Sequence, residues 1–343
     1  LSPARQIAFA VLRRVARGGF ASELLRRQEA APRDLALAHS IVLGCLRVQS
    51  QLDFLIAHYS GGAKLEEEVR IAVRMGIYQL RYLDRVPAHA AVAESVELVK
   101  RAGKRSAAGL VNAVLRKVNR DPVEWPDRAA ALAVPAWMLE RWSKFYGAAE
   151  AEAIALAALQ EPQAHLNAVT GRRQDIGAQS IVPYLQIEPG MTVLDLCAAP
   201  GNKTAQMLAA GARVIACDLS ARRMKGVPGE RVVLDAAAPL PFSVRFNRIL
   251  VDAPCSGTGT LARNPEIKWR LKPADLPVFQ ARQRRILERA LERLKPGGRL
   301  VYSTCSLERE ENEEVVAEFQ PRQTHTRLPG QDPGDGFFIA VIE

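Results

Sequence analysis

Histidine and cysteine are scarce in this chain, five of each in 343 residues. His39, His58, His89, His165 and His325 are scattered, and no two cysteines form a C-x-x-C pair, so no metal site is expected. Cys45, Cys197, Cys217, Cys255 and Cys305 are an odd number of thiols in a large chain, which argues against a disulfide framework. No apolar run approaches the roughly 20 residues of a membrane span. No charged n-region, apolar h-region and cleavage site open the chain. The expectation is a cytoplasmic protein, monomeric, with no membrane partner.

What is present is an ordinary globular composition, 48% hydrophobic and 24% charged, long enough for two or three domains. The net charge of +10 is uneven. Residues 1–125 hold 20 Lys/Arg against 12 Asp/Glu, and the remainder 27 against 25. A basic excess concentrated in one region points to a polyanionic partner, although a solvated helical surface gives the same charge count.

Residues 1–125 read as helix throughout. Ser2-Pro3 is a cap followed by proline at the first helical position. Ile7, Val11 and Val15 share a face, and Asp34 is placed to cap a second helix bearing Ala38, Ile41, Val42, Cys45 and Leu46. Further stripes run from Val69 to Leu80, Val92 to Val99 and Leu110 to Val118. Cys45 belongs to this core. Asp121 to Pro135 holds three prolines and reads as a linker. Helices are expected at Ala136–Tyr146 and Ala148–Leu159, with Trp137 and Trp142 as packing anchors. Residues 126–180 thus form a linker and small helical subdomain.

From Thr192 the texture changes. Short apolar runs at Thr192–Leu196, Arg213–Cys217, Arg231–Leu234, Arg248–Val251 and Arg299–Ser303 alternate in part with helical patterns such as Gln280–Leu294. Asp195, Asp218, Asp235 and Asp252 lie at or just after the first four. This is an α/β domain over residues 181–343, a mostly parallel, doubly wound sheet with ligands expected at the strand C-termini. Two connections are short. Only 16 residues separate Asp218 from Asp235, and His165 to Ser180 is thin, so loops are expected to be missing at both places.

The stretch Asp195-Leu196-Cys197-Ala198-Ala199-Pro200-Gly201-Asn202-Lys203-Thr204 ends a strand in small residues and then opens a helix. Small residues let the backbone approach a ligand, and the helix start offers free N–H groups. A phosphate loop is excluded, since the pattern needs glycine where Cys197 and Asn202 stand. Asp218 can accept from both hydroxyls of a ribose, and Asp235 can reach an adenine edge. Singly, each aspartate reads as a turn residue. As an ordered set with Asp252 they point to S-adenosylmethionine.

Cys255 follows Asp252-Ala253-Pro254, and Cys305 follows Ser303-Thr304. Methylating C5 of a pyrimidine needs a thiolate that adds to C6, a group that contacts N3, and a base that removes the C5 proton. Two cysteines and an aspartate at strand ends supply such groups. From the residues alone the Pro254-Cys255 turn is the natural nucleophile. A cysteine used only as a small apolar filler is the rival reading.

The strings DLCAAPGNKT, DAPCSGTGTLARNPEIKWR, YSTCSLEREENEEVV and DGFFIA resemble the RNA (cytosine-5) methyltransferases of the RsmB/Sun type. VRMGIYQLRYLDRVPAHAAVAESVELVK and GLVNAVLRKVNR resemble the NusB-like RNA-binding domain. Together the resemblances cover nearly the whole chain. They imply an all-α NusB-like domain joined to a Rossmann-like methyltransferase domain, acting with S-adenosylmethionine on C5 of a cytosine in small-subunit ribosomal RNA, not DNA. By resemblance Cys305 is the nucleophile, Cys255 assists release, Asp252 contacts the base at N3, and Lys203 lies near the target nucleotide. Cys197, Ala198, Ala199, Pro200, Gly201, Asn202, Lys203, Asp218, Arg223, Asp235 and Asp252 match the cofactor site. The family has glycine where this chain has Asn202; asparagine tolerates left-handed backbone, so the loop is expected to persist. The alternatives are a transfer RNA or large-subunit substrate, and a non-catalytic RNA-binding factor.

Overall fold

A computed structural model describes residues 1–343. The chain divides into two compact units. The first comprises Leu1–Glu161 together with Leu261–Arg270, and the second Pro162–Thr260 with Leu271–Glu343.

The first unit is helical: α1 (Pro3–Ala16), α2 (Ala21–Arg26), α3 (Pro32–Arg47), α4 (Gln49–Ser60), α5 (Glu67–Tyr82), α6 (Ala88–Arg101), α7 (Ala108–Lys117), α8 (Arg128–Ala131), α9 (Ala136–Tyr146) and α10 (Ala148–Ala157). Pro3 and Pro32 stand in the first turns of α1 and α3, where a missing N–H costs nothing. The anticipated stripes are largely buried, among them Val11 and Val15 of α1, Ile41, Val42 and Cys45 of α3, Val69 and Ile77 of α5, and Val111 and Val114 of α7, whereas Leu110 of α7 is exposed. Asp34 does not cap α3. Ala31 is the N-cap, because Pro32 already starts the helix, and Asp34 lies within its first turn. The short α2 and the weakly patterned α4 carry no sequence signal of comparable strength. Trp142 is fully buried, whereas Trp137 is half-buried. No single helix is long and apolar enough to cross a membrane.

The second unit holds α11 (Ile176–Gln179), β1 (Thr192–Leu196), α12 (Asn202–Ala209), β2 (Arg213–Asp218), β3 (Glu230–Val233), β4 (Phe246–Asp252), α14 (Leu276–Leu291), β5 (Leu294–Thr304), α15 (Glu313–Val316), β6 (Gln323–Arg327) and β7 (Phe337–Ile342), while α13 (Ile267–Arg270), between β4 and α14 in the chain, belongs to the first unit. The sheet order is β3-β2-β1-β4-β5-β7-β6. Neighbours from β3 to β5 are parallel. β7 runs antiparallel to both β5 and β6, so the sheet is mixed at that edge. The strand order reverses between β1 and β4, which opens a crevice at their C-terminal ends.

The short Asp218–Asp235 connection holds only one 3₁₀ turn, Arg223–Gly226, in place of a crossover helix. β3 is correspondingly exposed, with Val233 53% accessible. Residues 165–180 form a turn closed by the Leu166–Arg173 bridge, followed by α11.

Segment Leu261–Arg270 leaves the second unit shortly after Cys255 and packs within the first. Glu266 accepts from the Ala21 N–H at 2.9 Å, and Trp269 Nε1 donates to the Leu46 carbonyl at 2.6 Å. Lys268 is buried, and its Nζ donates to the Arg47 and Ala133 carbonyls, each at 2.7 Å.

Candidate active site

Parallel register sets the site. Leu196 pairs with Val251 and with Cys217, and Asp252 pairs with Ser303. Four strand ends therefore lie side by side, and the loops that leave them carry the expected residues.

At the end of β1, Cys197 adopts a left-handed φ of 66°. Ala198 N–H donates to the Cys217 carbonyl at 2.8 Å, which ties the loop to β2. Gly201, at φ 92°, is the N-cap of α12. A Cβ there would stand 2.8 Å from Pro228 and 2.9 Å from Val227 Cα, so the position needs glycine for both conformation and space. Asn202 is not left-handed as expected. It is the first helical residue, and its Nδ2 donates to the Arg173 carbonyl at 3.1 Å. Gly201 carries the left-handed step, so Asn202 needs no special conformation. Asp195 is fully buried, accepts from Thr204 Oγ1 at 2.6 Å, and so anchors α12 to β1. Burial pushes its carboxyl up to about 7.

Asp218 is buried at the end of β2 and accepts from the Ala199 N–H at 3.2 Å and the Ser220 N–H at 3.0 Å. Arg223 donates to the Ala199 carbonyl at 2.9 Å and lies 3.9 Å from Asp218. Asp235 accepts from the Ala237 N–H at 3.1 Å and pairs with Arg282 of α14 at 3.0 Å.

Asp252 is held on both oxygens. Lys203 Nζ lies 2.6 Å from Oδ2, and Ser303 Oγ donates to Oδ1 at 2.8 Å. The Lys203 ammonium also sits 5.6 Å from the centre of the Phe337 ring. Beside this pair, Cys255 Sγ and Cys305 Sγ are 3.4 Å apart, and both thiols are free and half-buried. The hydrogen bond with Cys305 is the largest cause holding the Cys255 thiol well above its usual range, followed by burial. Cys45 and Cys217 are buried core thiols, both raised by burial, Cys217 to about 12. Cys197 is also raised, by burial first and then by the Asp252, Asp218 and Asp195 carboxylates.

Several residues in the site give little sequence signal. Glu311 is fully buried, accepts from Ser256 N–H at 2.8 Å, Gln283 Nε2 at 2.9 Å and Ser306 Oγ at 2.6 Å, and also accepts from Ser256 Oγ. Asn312 accepts from Thr304 Oγ1 at 2.5 Å and donates to the Ser306 carbonyl at 2.9 Å. Both lie in the acidic stretch Glu308–Glu314, which reads as a solvated surface. The serines directly after the two cysteines were the available clue.

An α/β unit with this strand order, an uncapped α12 start and a carboxylate at the end of β2 defines a Rossmann-like methyltransferase domain, here in one chain with a helical bundle. Residues 182–330 match the family described as 16S rRNA methyltransferase RsmB/F, and residues 2–120 match the NusB family. The chain is 36% identical over 369 residues to the ribosomal RNA small subunit methyltransferase B of Thermus thermophilus, covering 96% of this chain and 90% of that protein. It is 32% identical over 395 residues to the protein of the same name from Klebsiella pneumoniae, covering 92% and 91%. The crystal structure of PH0851 shares the fold, with a TM-score of 0.81 at 20% identity over 100% of this chain and 99% of that one. The chain belongs to the ribosomal RNA small subunit methyltransferase B family and is an S-adenosylmethionine-dependent RNA methyltransferase.

The residues present fit that cofactor. The α12 start has no side-chain cap, so its first-turn N–H groups suit a carboxylate. Asp218 keeps acceptor capacity beyond its two backbone bonds, which suits a ribose diol.

Proposed function

We propose that this enzyme methylates C5 of a cytosine in small-subunit ribosomal RNA through a covalent adduct at Cys305. The observation that carries this reading is the 3.4 Å approach of Cys255 and Cys305 beside the Lys203–Asp252 pair. One cysteine suffices for attack, and two sulfurs in contact suit a cycle of attack and release. The loop Cys197–Lys203, with Asp218, Arg223 and Asp235, would hold S-adenosylmethionine, which supplies the methyl group that C5 receives.

The protein's own steps run as follows. Cys305 thiolate bonds to C6, and the C5=C6 π pair moves to C5 as the nucleophile. Asp252, oriented by Lys203 and Ser303, meets the base edge at N3, gives it the proton that balances the added thiolate, and takes that proton back when Cys305 leaves. Once Cys305 is a thioether it carries no charge, and one influence that raises the Cys255 thiol is gone. Its proton then passes to solvent, and its thiolate takes the C5 proton. The C5–H pair restores the C5=C6 bond, and the C6–S pair returns to Cys305. The cytosine must leave its stack to reach the site, which costs up to roughly a few kcal/mol and least for an unpaired base. The basic helical unit supplies phosphate contacts.

Two variants test the assignment. Cys305→Ala is expected to abolish methyl transfer while calorimetry still reads near-normal cofactor affinity. Cys255→Ala is expected to trap RNA in a complex that survives denaturing electrophoresis. Methylation by Cys305→Ala, with Cys255→Ala inactive and free of adduct, would reverse the two roles.

A further inference from the structure

The two cysteine loops share one buried carboxyl group that the reaction itself does not consume. Glu311 receives four hydrogen bonds, all from neutral donors: the N–H and hydroxyl of Ser256, the hydroxyl of Ser306, and the amide of Gln283. Ser256 follows Cys255 and Ser306 follows Cys305. Gln283 also donates to the Pro254 carbonyl at 3.0 Å, which reaches the residue before Cys255. Both serine hydroxyls donate to the same carboxyl oxygen. Their backbones, and with them the adjoining cysteines, are fixed in consequence. Backbone bonds close the same junction: Gly259 N–H donates to the Cys305 carbonyl at 2.9 Å, and Leu307 N–H donates to Thr258 Oγ1 at 2.8 Å.

We propose that Glu311 is a positioning residue for the release step, clamping Ser256 to Ser306 so that the Cys255 sulfur is held against the Cys305 sulfur. The inference rests on the reading of Cys305 as the attacking sulfur and Cys255 as the releasing one. The Glu311 charge by itself works against release, because it raises the Cys255 thiol that must lose its proton, so the clamp and the charge predict opposite changes in release. After the hydrogen bond to Cys305, burial and the Cys305 charge itself, Glu311 is the next influence that raises the Cys255 thiol. Cys305 and Glu311 are the titratable groups acting on Cys255 from the β5 side, and the buried Tyr302 phenol of β5 is raised partly by Cys255 in return.

Glu311→Gln keeps the shape of the side chain and removes its charge. With small-subunit ribosomal RNA and S-adenosylmethionine, this variant is expected to keep its cofactor affinity and its melting temperature within a few degrees. The denaturant-stable RNA complex should accumulate at least about tenfold over wild type, and turnover should fall accordingly. A purely structural role would lower the melting temperature and slow attack, with no build-up of adduct. Cys255→Ala serves as the control. If it forms no adduct, the assignment of the two cysteines fails, whatever Glu311 does. If it forms adduct while Glu311→Gln releases RNA at or above the wild-type rate, the role of Glu311 is overturned. A second readout needs no RNA. The pH profile for alkylation of Cys255 by iodoacetamide, mapped by mass spectrometry, should move to lower pH in Glu311→Gln, and an unchanged profile overturns the proposal. Should Glu311→Gln fail to fold, Ser256→Ala/Ser306→Ala removes both hydroxyl contacts and should give the same adduct build-up; its absence has the same force.

Discussion

Cys255 and Cys305 are 50 positions apart in the chain, yet their sulfurs touch. The contact depends on how closely the loops after β4 and β5 approach, and Gly259 sets that approach. A Cβ at this position would stand 2.4 Å from the Gly336 carbonyl oxygen and 2.9 Å from that of Cys305. Both obstacles are backbone, so neither can rotate away. Gly259→Ala is therefore expected to cost about 1–3 kcal/mol through forced backbone movement. Urea denaturation measures the cost. Oxidative cross-linking of Cys255 to Cys305 should slow in the same variant if the loops have parted; unchanged stability and cross-linking would show that the junction has slack. Asp252 was legible as a site candidate because it ends an apolar run, and Lys203 only through the resemblance of the stretch that carries it. Glu311 was not, because one carboxylate in an acidic run looks like its neighbours, Glu308 is just as buried, and only the bonds from Ser256, Ser306 and Gln283 distinguish it.

Among the elements, the segment Leu261–Arg270 does what its sequence does not announce. It lies between β4 and α14 in the chain but packs with the helical unit, anchored by Lys268. Burial, then the Arg47 charge, lowers the Lys268 ammonium to about 7. The unfolded chain holds this proton to a much higher pH, so between about pH 7 and 10 the unfolded state binds more protons. Folding stability from this group must then rise with pH across that window, by up to about 1.4 kcal/mol per pH unit. Below pH 7 the cost of the buried charge is fully present. Lys268→Met is expected to flatten this rise in urea melts taken from pH 7 to 9.5, and an equally steep rise in the variant would remove Lys268 as its source. The strands of the parallel half were readable from apolar runs, the first four with an aspartate at or just after them and β5 without one. β6 and β7 were not: β6 is polar and largely exposed, and the apolar Phe337–Ile342 run could not be told from a motif until it paired with β5.

For the whole molecule, charge is the property that bears on the RNA partner. The excess of 20 basic over 12 acidic residues in residues 1–125 predicts binding dominated by phosphate contacts. Affinity of the full chain for small-subunit ribosomal RNA should fall at least about tenfold between 50 and 200 mM salt. Fluorescence anisotropy at several salt concentrations checks this, and a flat response would put base contacts or stacking in place of electrostatics. Cofactor affinity should change far less over the same range.

The sequence by itself determined the helical stripes, the strand ends, the loop that opens α12, and the residue types that meet there. Those features depend on periodicity and on local backbone chemistry, which neighbouring residues carry with them. Tertiary structure alone decided which sulfur faces which, that Asp252 is shared by Lys203 and Ser303, and that Glu311 lies buried between two serines. These depend on the parallel register that sets Asp252 beside Ser303. Register is a property of paired strands far apart in the chain, so no window of sequence contains it.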